Sequence, residues 1–143
     1  MDEEIQQKLY DKYPALFVNK DKDPRVSCMA WGIECGDGWY DLLATLCYRI
    51  AQHEKNIAAR EKKHTSTPQE PSKYYPVQFT QIKEKFGGLR IYWDGGDEHV
   101  AGVIRMAEEM SYKLCERCGN KGQPNKQGWV VTLCDNCRGS ADS

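Results

Sequence analysis

A chain of 143 residues, 40% hydrophobic and 29% charged, has room for one main hydrophobic core and a small appended module, and too little length for two large domains. Its 21 acidic and 20 basic residues leave a formal net charge of -1, which excludes a global field drawing it to nucleic acid or an anionic membrane. No stretch approaches the roughly 20 apolar residues of a spanning helix, and Met1-Asp2-Glu3-Glu4-Ile5-Gln6 lacks the basic and then apolar pattern of a secretory signal, so a cytoplasmic location without membrane attachment is expected.

Along the chain, Asp2 can cap a first helix with Glu3 and Glu4 in its first turn, and Ile5, Leu9, Tyr13 and Leu16 recur at helical spacing. Pro14 is expected to end or kink that helix. Residues 18–28, with Asn19, Asp21, Asp23 and Pro24 among several lysines, read as a surface loop. A glycine-rich stretch follows from Trp31 to Gly38. Trp39, Leu42, Leu43, Leu46, Cys47, Ile50 and Ile57 then fall on one stripe of a helix from about Trp39 to Arg60. Residues 61–73 are too polar and proline-rich to pack and are predicted to be a mobile loop.

From Tyr74 the period changes. Tyr75, Val77 and Phe79 alternate with polar residues, as do Leu89, Ile91 and Trp93, which predicts two strands joined by a turn at Lys85-Phe86-Gly87-Gly88. Asp97 can cap a third helix whose stripe is Val100, Val103, Ile104, Ala107, Met110 and Leu114. The fold class is therefore α+β, with three helices and an antiparallel β-hairpin, and a C-terminal zinc-ribbon-like module. Residues 1–110 would form the core and 111–143 the module packed on it.

The module is defined by its cysteines. Zinc takes four ligands in a tetrahedron, and each Cys-x-x-Cys turn presents two sulfurs from one tight loop. Cys115-Glu116-Arg117-Cys118 and Cys134-Asp135-Asn136-Cys137 are two such turns, with 15 residues between them, within the range for a shared site. Four thiolates close the coordination shell, so the ion is expected to be a structural Zn²⁺. Lys113, Arg117, Lys121 and Arg138 lie close enough in sequence to offset its negative charge, and Trp129-Val130-Val131-Thr132-Leu133 reads as a strand leading into the second pair. The competing reading is free thiols or a redox pair. Cys28, Cys35 and Cys47 have no common ligand spacing and read as free thiols, with Cys47 on the apolar stripe of the long helix.

Two other motifs are candidates for ligand or partner binding. Gly36, Asp37, Gly38 and Trp39 open the long helix, where unpaired amides can hold an anion; simple capping by Asp37 competes with that reading. Lys83, Lys85, Phe86, Gly87, Gly88 and Arg90 place three cations and an aromatic around the hairpin tip, suited to phosphate, a nucleotide or an acidic surface. Solvated charges that guard an edge are the plainer explanation. Catalysis finds less support. His53, His64 and His99 have no ligand spacing among them, and there is no nucleophile elbow, phosphate loop or metalloprotease motif. The polar run Asp94, Asp97, Glu98 and His99 could gather a hard cation, but helix capping accounts for it.

The run Glu34-Cys35-Gly36-Asp37-Gly38-Trp39 with Asp41-Leu42-Leu43, then Lys83 to Arg90, then the paired cysteines with Gly128-Trp129, resembles a family of short proteins of tailed bacteriophages and prophages over about residues 30–140. That family carries no assigned catalytic residues. The resemblance implies a small non-enzymatic accessory protein that binds a host component inside the bacterium, such as a defence protein or a small nucleotide signal, and so acts in counter-defence. A zinc-ribbon nucleic-acid binder is the alternative, disfavoured by the near-neutral charge, and a nucleotide-acting enzyme with a site hidden from sequence is a third.

Overall fold

The computed structural model describes residues 1–63 and 73–141. Helix α1 spans Glu3–Lys12, with the Asp2 carboxylate accepting from the amides of Glu4 and Ile5. It stops one residue before the one preceding Pro14, because proline disfavours helical backbone at its neighbour. The turns that follow return Leu16 and Phe17 to the core. Strand β1 is only Ile33–Glu34, and a single helical turn at Asp37–Trp39 leads into α2, Tyr40–Lys63. Strand β2 is Gln78–Lys85 and β3 is Gly88–Asp94. Helix α3 is Glu98–Ser111. The chain ends in the short strands β4, Gln123–Pro124, and β5, Thr132–Leu133, and helix α4, Asp135–Ala141.

The α+β class holds, with additions. The sheet has three strands in the order β1-β2-β3. β1 runs parallel to β2, pairing Ile33 with Ile82, and α2 is the crossover that this direction requires. β2 and β3 form the antiparallel hairpin, pairing Ile82 with Ile91 and Lys83 with Arg90. A two-residue strand among glycines has no alternation to read, so β1 was invisible as a periodic pattern. The α4 helix is also new, and the expected strand from Trp129 narrows to Thr132–Leu133, because Trp129 is exposed. The long helix begins one residue later than expected and continues through 61–63. The remainder of the predicted mobile loop, 64–72, lies outside the described residues.

One face of the hairpin carries Phe79, Ile82, Leu89 and Ile91, all buried against Leu43, Leu46, Cys47 and Ile50 of α2 and Val100 and Ile104 of α3. Phe17 joins this core through Phe79, with ring centroids 5.2 Å apart. The free edge of β3 is closed by side chains of α3. Ser111 Oγ accepts from the Leu89 amide at 2.9 Å and a Glu108 carboxylate oxygen from the Ile91 amide at 3.0 Å, which satisfies backbone donors that a bare edge would leave open. No helix among the described residues is long and apolar enough to cross a membrane.

Candidate metal centre and the surface beside it

Cys115 follows the last turn of α3, Cys118 closes the next turn, Cys134 follows β5, and Cys137 lies in the first turn of α4. The four sulfurs all lie within 4.8 Å of one another, and Cys118 and Cys134 are 3.6 Å apart. Zn–S bonds of about 2.3 Å in a tetrahedron place sulfurs about 3.8 Å apart, so the cluster could hold a metal ion of that kind. The backbone supports it: the Cys115 amide donates to the Asn120 carbonyl at 2.7 Å, the Glu116 amide to Thr132 at 2.9 Å, and the Cys137 amide points at the Cys134 sulfur at 3.4 Å.

Thiol acidity points the same way. Burial pushes the Cys115 thiol up, but backbone hydrogen bonds at Cys134, Cys118 and Arg117 together outweigh it and bring it to about 6. At Cys118 the Asn120 amide favours the thiolate, yet desolvation and the sulfurs of Cys115 and Cys134 prevail and raise it. Cys137 is pushed up to about 12, chiefly by the Cys134 sulfur. Cys115 is thus favoured as the thiolate while Cys118 and Cys137 resist ionising, a resistance that a divalent cation bound between them would remove. Cys28 is exposed while Cys35 and Cys47 are buried, apart from the cluster.

The two glycine motifs turn out to be where this module meets the core. The Gly38 amide donates to the Glu116 carbonyl at 2.7 Å, the Gly36 amide donates to the Glu116 carboxylate at 2.8 Å, and the Trp39 indole donates to the Leu114 carbonyl at 2.9 Å. The niche expected for an outside anion thus holds a carboxylate of the chain's own. Burial, the largest influence on it, raises the Glu116 carboxyl above its ordinary range, while the Gly36 amide works the other way. Asp37 does not cap the long helix: its carboxylate accepts instead from the Asp2 amide at 2.8 Å. Trp39 is completely buried, so its place is in the core. Asp37, Gly36 and Glu116 line a cleft of about 470 Å³ with Arg117, Val131 and Leu133.

At the hairpin tip, Phe86 and Gly87 have φ of 54° and 82°, as a two-residue hairpin turn of the mirror-image kind requires. Gly87 and Gly88 are buried. The Gly87 carbonyl accepts from the Thr132 hydroxyl at 2.6 Å, and a Cβ on Gly87 would come within 2.8 Å of Val130. Gly88 lies against the Tyr112 ring, whose hydroxyl accepts from Arg90 at 2.8 Å. Lys83, Lys85 and Phe86 remain directed outward, and Phe86 is 69% exposed. Glu116, Ser111, Glu108 and Tyr112 carried no signal in the sequence, since each contact depends on partners distant along the chain. Trp129, 84% exposed, was hidden inside an expected strand.

The polar run near Asp97 resolves into capping and pairing. Asp97 accepts from the Val100 amide at 3.0 Å and contacts His53 Nε2 at 2.7 Å, and His99 stacks on His53 with centroids 4.3 Å apart. The cysteine cluster is the one group among the described residues with the geometry to hold a metal. Comparison with models of known protein families, with curated proteins and with solved structures finds no match.

Proposed function

We propose that the protein is a zinc-stabilised binding module that works by contact with another molecule rather than by catalysis. The observation that carries this reading is the closed set of four sulfurs within 4.8 Å. Four thiolates leave no open position for substrate, so zinc here has a folding role, and its ligands bracket the segment that docks on the hairpin tip. The ion holds together the carboxyl-terminal segment on which Tyr112, Val130 and Thr132 meet the glycines of the hairpin.

In the phage setting that the motifs resemble, the partner is a host component inside the bacterium, a defence protein or its nucleotide signal among the candidates, and the exposed hairpin apex is the working surface. Native mass spectrometry of freshly purified protein is expected to give one zinc per chain. Affinity capture from a bacterial lysate should then retain a component that the double variant Lys83→Glu/Lys85→Glu loses. A metal-free folded chain, or capture indifferent to that double variant, refutes the proposal.

A further inference from the structure

The register of the hairpin separates its side chains into two sets. Phe79, Ile82, Leu89 and Ile91 take the buried face, so Lys83, paired across the strands with Arg90, and Lys85 take the other. Directly opposed like charges destabilise a strand pair; the carboxylate beside them is that of Glu34, register neighbour of Lys83 on β1, and it forms no ion pair with either cation. The ion pairs Lys20 with Asp21, Arg25 with Asp23 and His53 with Asp97 all lie away from the hairpin tip. Arg90 gives one N–H to the Leu89 carbonyl and one to the Tyr112 hydroxyl, both neutral acceptors that leave its charge uncompensated and three of its five N–H donors unused. Glu84, the acid within the motif, accepts from the Gly87 amide at 2.7 Å and is used in the turn.

Aromatic rings are interleaved with these cations. Lys83 Nζ lies 6.0 Å from the centroid of Tyr92, itself 44% exposed. Phe86 projects from the tip, with Lys85 Nζ 5.6 Å from its centroid. A bulky residue at positive φ is strained where asparagine or glycine would be at ease, and strain of this sort gathers at functional positions. Beside the tip, the loop that presents Trp129 touches Gly87 through Val130. Asn125 fixes that loop by donating to the carbonyls of Gln127 and Trp129 and accepting from the Val131 amide. The exposed indole is thus carried on a pinned loop.

Charge is segregated to match. Residues 83–90 hold three cations and one carboxylate, and residues 119–133 hold Lys121 and Lys126 with no carboxylate, so these segments total +4 in a chain of net charge -1 and leave -5 for the rest. We infer that the outer face of the hairpin and its Phe86–Trp129 apex bind a single strand of nucleic acid, with Lys83, Lys85 and Arg90 on the phosphates and Phe86 and Trp129 stacking on unpaired bases. Stacking with cations along a backbone is the chemistry of single-strand binding. An acidic protein surface would use the cations and leave two projecting rings without flat partners. The inference deepens the binding reading above and rests on it.

The test is fluorescence anisotropy of labelled dT12 and rU12 with the zinc-loaded full chain at 50 and 200 mM NaCl. Binding is expected at the lower salt, with a log–log salt slope of about -2 for three phosphate contacts at about 0.7 each on a single strand. Lys83→Gln should reduce that slope by about 0.7. Trp129→Ala and Phe86→Asn should each weaken binding at least about fivefold, the low end of what one lost stacking partner removes. Phe86→Asn is the decisive variant, because Asn-Gly is the preferred pair for this turn: melting temperature should hold or rise while binding falls.

Absence of binding at 50 mM NaCl overturns the inference. So does equal competition by poly-glutamate, equal affinity for a duplex, full displacement by a mononucleotide at the same base concentration, or unaltered affinity in both aromatic variants. If oligonucleotides fail while lysate capture still depends on Lys83 and Lys85, the strand inference falls and the binding-module reading stands.

Discussion

Replacing Gly38 by alanine tests whether the module is locked to the core at the start of the long helix. A Cβ there would lie 2.1 Å from the Cys115 carbonyl oxygen and 2.6 Å from both the carbonyl carbon and oxygen of Glu116. All three are backbone atoms of the first Cys-x-x-Cys turn, so no side chain can swing aside, and the turn itself must move. Movement breaks the Gly38-to-Glu116 and Trp39-to-Leu114 hydrogen bonds, leaving a fully buried tryptophan with an unpaired indole N–H. A buried donor left unsatisfied costs about 1–3 kcal/mol; with the weaker loss at the amide, Gly38→Ala should destabilise by about 3 kcal/mol. Gly102 of α3 is the matched control. Nothing lies within 4 Å of a Cβ added there, and alanine in a helix interior is favoured over glycine by about 0.5–1 kcal/mol, so Gly102→Ala should stabilise. Urea unfolding of the zinc-loaded proteins measures both. Should Gly38→Ala unfold within about 0.5 kcal/mol of the parent, a margin ordinary for uninvolved surface positions, the docking argument is wrong.

Three further outcomes follow from the same contacts. Ser111→Ala leaves the buried Leu89 amide without its acceptor and should lower stability by about 1–3 kcal/mol, with faster hydrogen exchange at Leu89 as the local signature; unchanged exchange there contradicts the edge-closing role. At Asp97, desolvation raises the carboxyl but the His53 and Val100 hydrogen bonds outweigh it and hold it below the ordinary range, so its contribution is present above the unfolded value of about 3.9 and is lost as pH falls through the lower folded value. Asp97→Asn should flatten that acid limb of stability slightly, because a carboxylate with 38% side-chain exposure is well screened, and a limb of equal slope in the variant counts against the pairing. Finally, burial, with Glu116 nearby, pushes the Cys35 thiol up to about 12, and burial alone pushes Cys47 up, so a thiol reagent should label exposed Cys28 first in the zinc-loaded protein; rapid labelling of Cys47, read by peptide mass spectrometry, would contradict its placement in the core.

What could be read from the sequence was whatever repeats locally. The stripes of the second and third helices, the hairpin alternation and the spacing of the two Cys-x-x-Cys turns each follow from a period or a fixed ligand geometry, and each stands in the structure. Functions assigned to glycines did not survive as assigned, because a glycine reports that something comes close without saying what. At Gly36 the approaching group is the Glu116 backbone and carboxylate, 80 residues away, and at Gly38 it is the backbone of Cys115 and Glu116. Asp37 shows the same limit from the other side: a carboxylate before a helix reads as a cap, and only the fold reveals that the Asp2 amide has claimed it.

The three motifs that first looked like separate signatures are parts of one joint. The turn at Gly36–Gly38 receives the first cysteine pair, the hairpin tip receives Tyr112 and the β5 loop, and the sulfurs close the module between them. A metal that binds only the folded arrangement stabilises it by mass action, and through these contacts that stabilisation extends to the hairpin tip. The residues left over once the joint is accounted for are Lys83, Lys85, Phe86 and Trp129. Their sequence neighbours are consumed by packing, while these four are held outward on a braced surface, one of them at a strained φ of 54°. Packing alone gives no reason to keep an exposed phenylalanine where asparagine fits better. That excess over structural need is what makes the apex, rather than the cysteine cluster, the place to test for the binding proposed above.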